Sequence, residues 1–520
     1  MERGKRIQAI NGEIPLPEAI IQHIQSFLDG KQAAKTSVLS KSWYNAWLTR
    51  PNVDLDERHF PIIDSKSLIP DEFLIFAKKT MERYRNFNLK IESFRLWLRS
   101  TRPGPIALAY ELILGALKMD VSCIDLEFDP PNMNFVLPDQ VLEFQNLIRL
   151  SVSGCKIDPP VGGKVNCLRL KSLTLSTVRI GDDLVWDIIS SCPLIENLVL
   201  SICESVVEVT KLISARRVTK MLTLKTPSIE FDKRNVGSVV DAPIKVSEFY
   251  KLKRLLLERV TIDNFFFRDF SHKFPCLEDL SIQYCYGYKG IQISSRSIKC
   301  ISMGQTRMLR GKFDVPNIRK FSFSGSTIPS LSFTTASSDW ESDISISCSR
   351  YHLGVPWFLE LKKFLTKLSQ SKISLNLWFL LEKRIDCMGD NQGLHMPTVE
   401  NLILSMNSLS AVCSALLDGL FWSFRPKVVT LSWFPRSLNE PNNNLIELLC
   451  KKLIQQESGS SCSQNLSVLD LRGLEEVNVE IREDSRSEWR PLPWKALLDA
   501  STSPEKKKKV RFLLKWVAST

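Results

Sequence analysis

A short apolar pattern recurs along most of the chain and constrains its fold more than any other feature. The pattern is apolar-x-x-apolar-x-apolar, and this alternation is typical of a strand with one buried face. Most successive copies begin about 20 to 30 residues apart, a period typical of stacked repeats. One copy cannot bury its apolar face alone, so the sequence predicts a stack of repeats over residues 91–480. The copies begin at Ile91, Val121, Leu147, Leu170, Ile195, Leu252, Leu277, Ile298, Ile318, Val399, Val428 and Leu466.

Two longer gaps interrupt this period. The gap of 57 residues before Leu252 contains a degenerate copy at Val218–Leu224. The gap of 81 residues before Val399 is expected to contain two further copies, around Ile344–Ile346 and Ile373–Leu377. The repeat is therefore predicted to continue through both gaps.

The segments that link consecutive strands are expected to be helical or irregular, with an apolar inner side. Asp183–Ser191 fits a helix, because its apolar residues recur at helical spacing and Cys192-Pro193 then ends it. Phe265–Phe274 is predicted to be a second return of this kind. The expected fold is an α/β solenoid with parallel strands on its concave face and the returns on its convex face.

Two other folds compete with the solenoid. A coiled coil requires sustained heptads, whereas these copies have a period of two. A doubly wound parallel sheet also alternates strands and helices, and it remains the main alternative. Such a sheet usually carries a glycine-rich turn after an early strand, and the sequence contains neither G-x-G-x-x-G nor G-x-x-x-x-G-K-[ST].

Residues 14–56 have a different pattern, which predicts three short helices. The first is expected to begin at Pro17 and to end at Asp29-Gly30, with Gly30 in a left-handed cap. The second is predicted over Gln32–Ser37 and the third from Ser40 to Arg50. The first helix carries one broad apolar stripe, Ile20, Ile21, Ile24, Phe27 and Leu28. Its polar side is expected to hold Glu18, Gln22, His23, Gln25 and Ser26.

Three helices within about forty residues bury little surface on their own. This segment contains no paired cysteines and no cluster of metal ligands that would stabilise it. Its apolar residues are more numerous than so small a core requires, which favours an interface with another protein. The alternative is that the helices form a cap on the next domain of the chain.

The same segment resembles a plant-type F-box. It has the Leu16-Pro17 opening, the motif I-x-x-I-x-S-F-L on the first helix, and T-S-V-L-S-K-x-W-x-x-x-W behind it. Asp29-Gly30 replaces a more usual proline and Tyr44 a common arginine, but neither change removes an apolar anchor. The remaining chain resembles plant F-box/leucine-rich-repeat proteins over three segments: Leu170–Cys203, Ile91–Phe128, and Pro493–Val517, where a short helix precedes a final strand.

The resemblance implies a substrate-recognition subunit of an SCF-type (cullin–RING) E3 ubiquitin ligase. In that family the F-box binds a Skp-type adaptor, which leads to the cullin and RING subunits, and the repeats bind a client protein for ubiquitination. The residues that would make or support the adaptor contact are Leu16, Pro17, Ile20, Ile21, Ile24, Leu28, Val38, Leu39, Ser40 and Trp43. Two alternatives stay open: a leucine-rich-repeat scaffold that engages no ligase, and a small-molecule co-receptor within the ligase.

A client would contact the polar positions of the repeats, which are mostly small hydroxyl residues and would serve equally well to solvate a sheet. Interface hot spots favour Trp, Tyr and Arg. Tyr284, Tyr286 and Tyr288 alternate after one strand and are expected to form a contact ridge. The candidate client-binding residues are therefore Arg149, Arg254, Tyr284, Tyr286, Trp433 and Phe434.

The net charge is +12, with 69 basic and 57 acidic residues mixed along the chain. Nucleic-acid binders concentrate their basic residues on one face, so this mixture does not favour a nucleic-acid partner. The dense cluster Lys506–Lys509 predicts either a nuclear localisation signal or lysines that protect a terminal strand over Val510–Trp516. We expect a cytoplasmic or nuclear protein without membrane contact, because no run approaches the roughly 20 apolar residues of a membrane helix.

No catalytic or metal-binding constellation is evident in the sequence. The five histidines lie far apart, and the 13 cysteines never form C-x-x-C. This usage predicts reduced thiols in the cytosol or nucleus, with no disulfide framework and no metal. Since no G-x-S-x-G motif or activated cysteine is present, we expect a non-enzymatic protein without cofactors.

The predicted organisation has five parts. Residues 1–13 form a flexible tail without the apolar core of a signal peptide, and residues 14–56 form the F-box. Residues 57–90 are a helical connector that packs the F-box against the repeat region. Residues 91–480 are the leucine-rich-repeat solenoid, and residues 481–520 are a helix–strand cap that contains the basic run.

Overall fold

The chain divides into two compact units, Met1–Val240 and Asp241–Thr520. Both contain a ladder of parallel strands with helices in the linking segments, so the described part of the chain is a mixed α/β fold. The computed structural model describes residues 16–60, 72–99, 103–162, 164–201, 221–225, 251–258, 262, 266–285, 288, 290–304, 310–334, 339–348, 354–379, 396–406, 410–433, 446, 448–450, 474–482, 488–492 and 508–517.

The first unit begins with three short helices, α1 (Glu18–Ser26), α2 (Gly30–Thr36) and α3 (Lys41–Thr49). Asp29 caps α2 by accepting a hydrogen bond from the Gln32 amide at 2.7 Å, and Ser40 caps α3. The left-handed cap predicted at Gly30 is wrong, since Gly30 is the first residue of α2 and its φ is not positive. A Cβ there would lie only 3.0 Å from the Asp54 carbonyl oxygen, which explains the glycine.

A parallel ladder comes after the three helices. Its strands are β1 (Asn52–Asp56), β2 (Ser93–Arg99), β3 (Cys123–Val136), β4 (Arg149–Ile157), β5 (Ser172–Ser176), β6 (Arg179–Ile180), β7 (Asn197–Ser201) and β8 (Met221–Lys225). The strands pair in the order β1-β2-β3-β4-β5-β7-β8, and β6 pairs with the end of β4. The linking helices are α4 (Glu72–Asn86), α5 (Pro103–Lys118), α6 (Asp139–Glu143) and α7 (Asp182–Ser191).

The second unit also has a ladder of strands. The strands of this unit are β9 (Arg254–Glu258), β10 (Asp279–Gln283), β11 (Ile291–Ser294), β12 (Cys300–Gly304), β13 (Arg310–Asp314), β14 (Lys320–Gly325), β15 (Ser330–Thr334), β16 (Trp340–Cys348), β17 (Ser371–Phe379), β18 (Thr398–Met406), β19 (Arg425–Trp433), β20 (Leu474–Arg482), β21 (Arg490–Pro491) and β22 (Lys508–Trp516). Its helices are α8 (Phe270–Lys273), α9 (Val355–Lys367) and α10 (Ser410–Ser423). Parallel pairing runs β9-β10-β12-β14-β16-β17-β18-β19.

The apolar kernels coincide with these strands, including the copies predicted inside the long gaps. β8 covers the degenerate copy, and β16 and β17 cover the two copies expected before Val399. Buried and partly exposed residues alternate in strands such as β5, where Leu173 and Leu175 are fully buried. The copy at Leu466 lies outside the described residues.

Some returns differ from the helical or irregular form that was expected. Three of them are strands, β11, β13 and β15, which pair in parallel as a second small sheet. Their residues alternate with period two, as in Ile291 and Ile293, and this pattern suits a strand rather than a helix. In the predicted return Phe265–Phe274, which the structure describes from Phe266 onward, the helix is the four-residue α8.

The end of the chain also differs from the expectation. β22 pairs antiparallel with β19 on one side and with β20 on the other. It is therefore an interior strand, and its lysines do not protect a sheet edge as predicted. The helix predicted to precede it, together with Lys506 and Lys507, lies outside the described residues.

Candidate protein-interaction surfaces

Helix α1 exposes most of its apolar stripe. Ile20 is 48% exposed, Ile24 38% and Phe27 77%, whereas Ile21 is 1% exposed. The polar-side prediction for Gln25 is wrong, because its side chain is fully buried among the three helices. The helix therefore exposes a mostly apolar face to solvent, and it packs against the other helices through Ile21 and the amide of Gln25.

A buried amide ties the three helices together. Gln25 Nε2 donates a hydrogen bond to Thr36 Oγ1 at 2.9 Å, and a second one to the Trp43 carbonyl oxygen at 3.3 Å. Ala33 and Ala46 are fully buried beside it, so the helices approach closely over small side chains. Such a core contains little apolar area, and it leaves the larger apolar side chains outside.

A second exposed apolar group lies between α2 and α3. Val38 is 85% exposed, Leu39 65% and Tyr44 48%. Ser40 is exposed as well, and its hydroxyl accepts a hydrogen bond from the Trp43 amide at 3.4 Å. The capping role of Ser40 fixes the start of α3 and hence the position of the two apolar residues before it.

The predicted adaptor residues divide by exposure. Ile21 is buried, so it supports the surface from inside and offers no contact area. Leu28 and Trp43 are half-buried. Sequence reasoning left Phe27 and Tyr44 out of the contact set, although Phe27 belongs to the predicted stripe. The exposed members of the predicted set are Leu16, Pro17, Ile20, Ile24, Val38, Leu39 and Ser40.

The three helices are held against the connector by buried polar contacts. Tyr84 of α4 donates a hydrogen bond to the Arg50 carbonyl oxygen at 2.5 Å, and the Arg83 guanidinium lies 5.2 Å from the centre of the Trp47 ring. Burial raises the pKa of Tyr84 and lowers that of Arg50. The Gly30 amide also donates to Asp54 Oδ2 at 2.6 Å, which joins α2 to β1.

A tryptophan between two arginines occupies the outer face of β2. Trp97 is 4% exposed, with the Arg58 guanidinium 4.6 Å and the Arg99 guanidinium 5.8 Å from its ring centre. Arg58 also forms an ion pair with Asp56 at 2.6 Å. Both arginines are thus already engaged, and this cluster stabilises the start of the ladder.

The strand face of the second unit carries small polar side chains in register. Ser281, Ser302 and Ser322 lie on adjacent strands, and a recess of about 300 Å³ opens over Ser302 and Ser322. Gln283 folds across Gly304 and donates a hydrogen bond from Nε2 to Ser302 Oγ at 2.9 Å. A side chain on Gly304 would overlap that amide, so the glycine makes room for the Gln283 side chain.

The predicted client residues that the structure describes belong to both units. Arg149 is exposed in the first unit, whereas Arg254 and Tyr284 are exposed in the second. Tyr286 and Phe434 lie outside the described residues, as does the side chain of Trp433 at the end of β19. Tyr288, the third tyrosine of the predicted ridge, is half-buried and packs against Phe267 with ring centres 5.5 Å apart.

Two apolar side chains on the strand face were missed by sequence reasoning. Trp378 is 43% exposed and Ile403 40%, and they lie on neighbouring strands two residues out of register. Both occupy polar-side positions of their kernels, where an apolar residue has no role in the core. That mismatch is the signal that would have identified them.

Comparison with known proteins agrees with this arrangement. The family model described as F-box domain matches residues 15–54. The model described as FBD-associated F-box protein At5g56370, LRR repeats, matches residues 116–243. The chain carries an F-box and leucine-rich repeats.

Relatives of this F-box/leucine-rich-repeat chain are known from Arabidopsis thaliana. Putative F-box/FBD/LRR-repeat protein At1g66290 is 27% identical over 278 residues, which are 53% of this chain and 56% of that protein. F-box protein At3g03040 is 29% identical over 270 residues, 48% of this chain and 54% of that protein. F-box/LRR-repeat protein At4g14096 is 31% identical over 193 residues, 36% and 38% respectively. The matches span about half the length of these relatives or less.

Three buried cysteines of the repeats have no activated character. Burial raises the pKa of the Cys155, Cys167 and Cys348 thiols to about 12, so each stays protonated at neutral pH. Within the described residues, no group of three or more His, Cys, Asp or Glu side chains is arranged to hold a metal ion. No helix in that same part of the chain is long and apolar enough to cross a membrane.

Proposed function

We propose that this chain is the substrate-recognition subunit of an SCF-type E3 ubiquitin ligase. F-box/leucine-rich-repeat proteins generally act as substrate receptors of such ligases and are typically non-catalytic, and F-box domains bind Skp-type adaptors. The observation that carries the proposal is the solvent exposure of the apolar residues on α1 and before α3. A core of two alanines, one isoleucine and one glutamine cannot use them, but an adaptor can bury them.

The repeats would present the client. We propose that their parallel strands stack as a solenoid, so that the strand face with its serine rows and Trp378 is available to a protein chain. Tethering a client beside a ubiquitin-charged enzyme raises its effective concentration, and no residue of this chain needs to perform covalent chemistry. The repeats then determine which protein is modified.

The test is capture of a purified Skp-type adaptor by the full chain. Leu16→Asp places a charge in the apolar surface and is expected to abolish capture. The matched control is Leu168→Asp, because Leu16 and Leu168 are both 47% exposed and Leu168 lies outside the F-box. Loss of capture in both variants, or in neither, would contradict the assignment.

Trp43→Ala is a second test that needs a folding control. Its side chain is half-buried, so removing it is expected to weaken the three-helix core as well as the surface. Reduced capture by this variant supports the interface only if its thermal unfolding midpoint stays near that of the parent chain.

A small-molecule co-receptor is a second candidate function, and the recess over Ser302 and Ser322 is the observation that favours it. Its volume of about 300 Å³ is at the lower end for ligand sites. Asp343 and Asn376 also line it and offer a carboxylate and an amide. Client capture that depends on an added small molecule would distinguish this role, whereas failure of the chain to co-purify with the adaptor would indicate a scaffold.

We further propose that the chain acts in the cytoplasm, the nucleus or both. Lys506–Lys509 would serve as the import signal. The test variant replaces Lys506 and Lys507 with glutamine. It keeps Lys508 and Lys509, which are the first two residues of β22. The measurement is the nuclear fraction of a fluorescent fusion of the chain. A nuclear fraction that is unchanged by this replacement would contradict the import signal.

A further inference from the structure

A charged groove lies where the strands of the second unit begin. Its volume is about 1080 Å³, and it runs along the start of β10, β12, β14, β16 and β17. Three acidic side chains line it, together with six basic ones. The basic side chains are Lys253, Arg296, Lys299, Arg319, Lys320 and Lys372.

The repeat itself aligns these charges. The residues just before the strands hydrogen-bond to one another in sequence: the Glu278 amide donates to the Lys253 carbonyl at 2.8 Å, and the Lys299 amide to the Glu278 carbonyl at 2.8 Å. The Arg319 amide continues the row to the Lys299 carbonyl at 2.7 Å. Neighbouring positions in such a ladder are about 4.8 Å apart, so the charges form a regular row.

Most of the charges in the groove are already paired. Glu278 lies between two ammonium groups, with Lys299 Nζ at 2.6 Å and Lys253 Nζ at 3.4 Å, and they hold its pKa below the usual value. Lys372 Nζ lies 2.6 Å from Asp339 Oδ1. These pairs fix the side chains in place, and the one positive charge left on the Glu278 cluster is offset by the carboxylate of Glu341.

The excess positive charge belongs to two arginines. Lys320 Nζ pairs with Asp343 Oδ2 at 2.6 Å, just outside the groove. Arg296 and Arg319 are exposed, and neither forms an ion pair within the part of the chain that the structure describes. With Asp343 counted, six basic groups face four acidic ones, and the excess of two equals these two guanidiniums.

We propose that this groove docks an acidic segment of the client polypeptide, with carboxylates of the segment on Arg296 and Arg319. Guanidinium groups suit this role because they bind carboxylates in a bidentate manner. The inference rests on the proposed function, since it names the chemistry of the client that the repeats would hold.

The acidic side chains of the groove favour a polypeptide over a nucleic acid. Glu278, Asp339 and Glu341 would repel a continuous phosphate backbone, whereas a peptide can place neutral or basic residues beside them. No aromatic side chain is among the lining residues, so the groove offers no platform on which bases stack. A mixed-charge peptide with a few carboxylates fits both observations.

The experiment measures binding of a fluorescent oligo-glutamate peptide to the full chain in complex with its adaptor. Arg296→Gln with Arg319→Gln removes the two basic charges of the groove that form no ion pair within the described residues. The matched control is Arg310→Gln with Lys312→Gln, because these exposed residues of β13 carry the same charge and lie outside the groove. Oligo-lysine and oligothymidine serve as comparison probes.

We expect the groove variant to bind oligo-glutamate about tenfold more weakly than the parent, with the control pair unchanged. Equal weakening in both variants, or no binding by the parent, would overturn the proposal. Tighter binding of oligothymidine that is lost in the groove variant would overturn it as well, in favour of a nucleic acid. Adaptor capture, measured on the same proteins, reports the F-box role separately.

Discussion

Two adjacent isoleucines on α1 allow the F-box surface to be tested with one chemical change at two sites. Ile20 is 48% exposed and Ile21 is 1% exposed, although they are neighbours in the sequence. Truncation to alanine removes the same atoms in both cases. If the exposed face is an interface, the first change should affect binding and the second should affect folding.

The exposed fractions set the size of the expected effect on binding. Burying a fully exposed Ile or Leu side chain contributes about 1.5–3 kcal/mol. Ile20 at 48% exposure and Leu39 at 65% therefore have about 1 and 1–2 kcal/mol still to gain from a partner. The double variant Ile20→Ala/Leu39→Ala should lose about 2–3 kcal/mol of adaptor affinity, which is roughly thirty- to a hundred-and-fortyfold in Kd.

Ile21→Ala should behave in the opposite way. Its side chain is part of a very small core, and truncation there is expected to cost about 2–5 kcal/mol of folding free energy. Adaptor affinity should fall only as far as the folded population falls. The double variant, by contrast, should keep the unfolding midpoint of the parent, because it removes atoms that already face water.

The assay pairs calorimetric titration of a purified Skp-type adaptor with thermal unfolding of each variant. A folded double variant with parental Kd would refute the interface, since two exposed apolar side chains of α1 and the α2–α3 connection would then contribute nothing to binding. A double variant that unfolds at lower temperature would show instead that these side chains pack within the chain.

Three further predictions concern stability, pH and thiol reactivity. Gly154→Ala should destabilise the first unit by at least about 2 kcal/mol in denaturant unfolding. Gly154 has a φ of 80°, and a Cβ there would lie 2.1 Å from the Phe128 carbonyl oxygen. The control is Gly181→Ala, which should cost less than about 1 kcal/mol because a Cβ at Gly181 meets nothing within 4 Å. Burial alone would raise the pKa of Asp56, but hydrogen bonds from Arg58 outweigh it and lower that pKa below 3.8. The stability that this lowered pKa provides is present above pH about 4 and is lost as the pH falls through the lowered pKa. At pH 7 the thermal unfolding midpoint of Arg58→Gln should therefore lie below that of the parent, and the two midpoints should converge in acid. Alkylation at pH 8 followed by mass spectrometry should label the exposed Cys276 well before the buried Cys155 and Cys167; equal rates would contradict the raised thiol pKa values.

The strands could be predicted because their signal is local. Each kernel alternates over six residues, and a strand with one buried face needs nothing further to be recognised. The returns β11, β13 and β15 are as short as the other strands but lack the full kernel. They were therefore not predicted as strands, although Ile291 and Ile293 already alternate with period two. The interior position of β22 depends on pairing with β19 and β20, which no local pattern specifies.

The face of α1 could not be read from periodicity alone. An apolar stripe predicts burial, but it does not say whether the burying surface belongs to the same chain. Gln25 is inside because its amide satisfies Thr36 and the Trp43 carbonyl across two other helices, and that contact appears only in three dimensions. In α1 the polar Gln25 is buried while the apolar Ile20 and Phe27 are exposed, which is the reverse of the usual distribution of polar and apolar side chains.

The charged groove did leave a signal in the sequence. The second residue of four kernels reads Lys253, Glu278, Lys299 and Arg319, and stacking places these residues in one row. Counting charge along the whole chain conceals such a row, because 69 basic and 57 acidic residues average out. Aligning the kernels by position, rather than summing their charges, would have revealed it.

The two surfaces should respond differently to salt, and this difference separates assembly from client capture. The F-box surface is apolar, so its binding depends on area removed from water, and added salt should not weaken it. The groove acts through exposed charges, and the Debye length falls from about 10 Å at 0.1 M salt to about 3 Å at 1 M. Raising the salt between these values should release oligo-glutamate from the adaptor-bound chain while the adaptor stays bound. Release of the adaptor first would mean that charge holds the F-box interface, which the exposure of Val38 and Leu39 opposes.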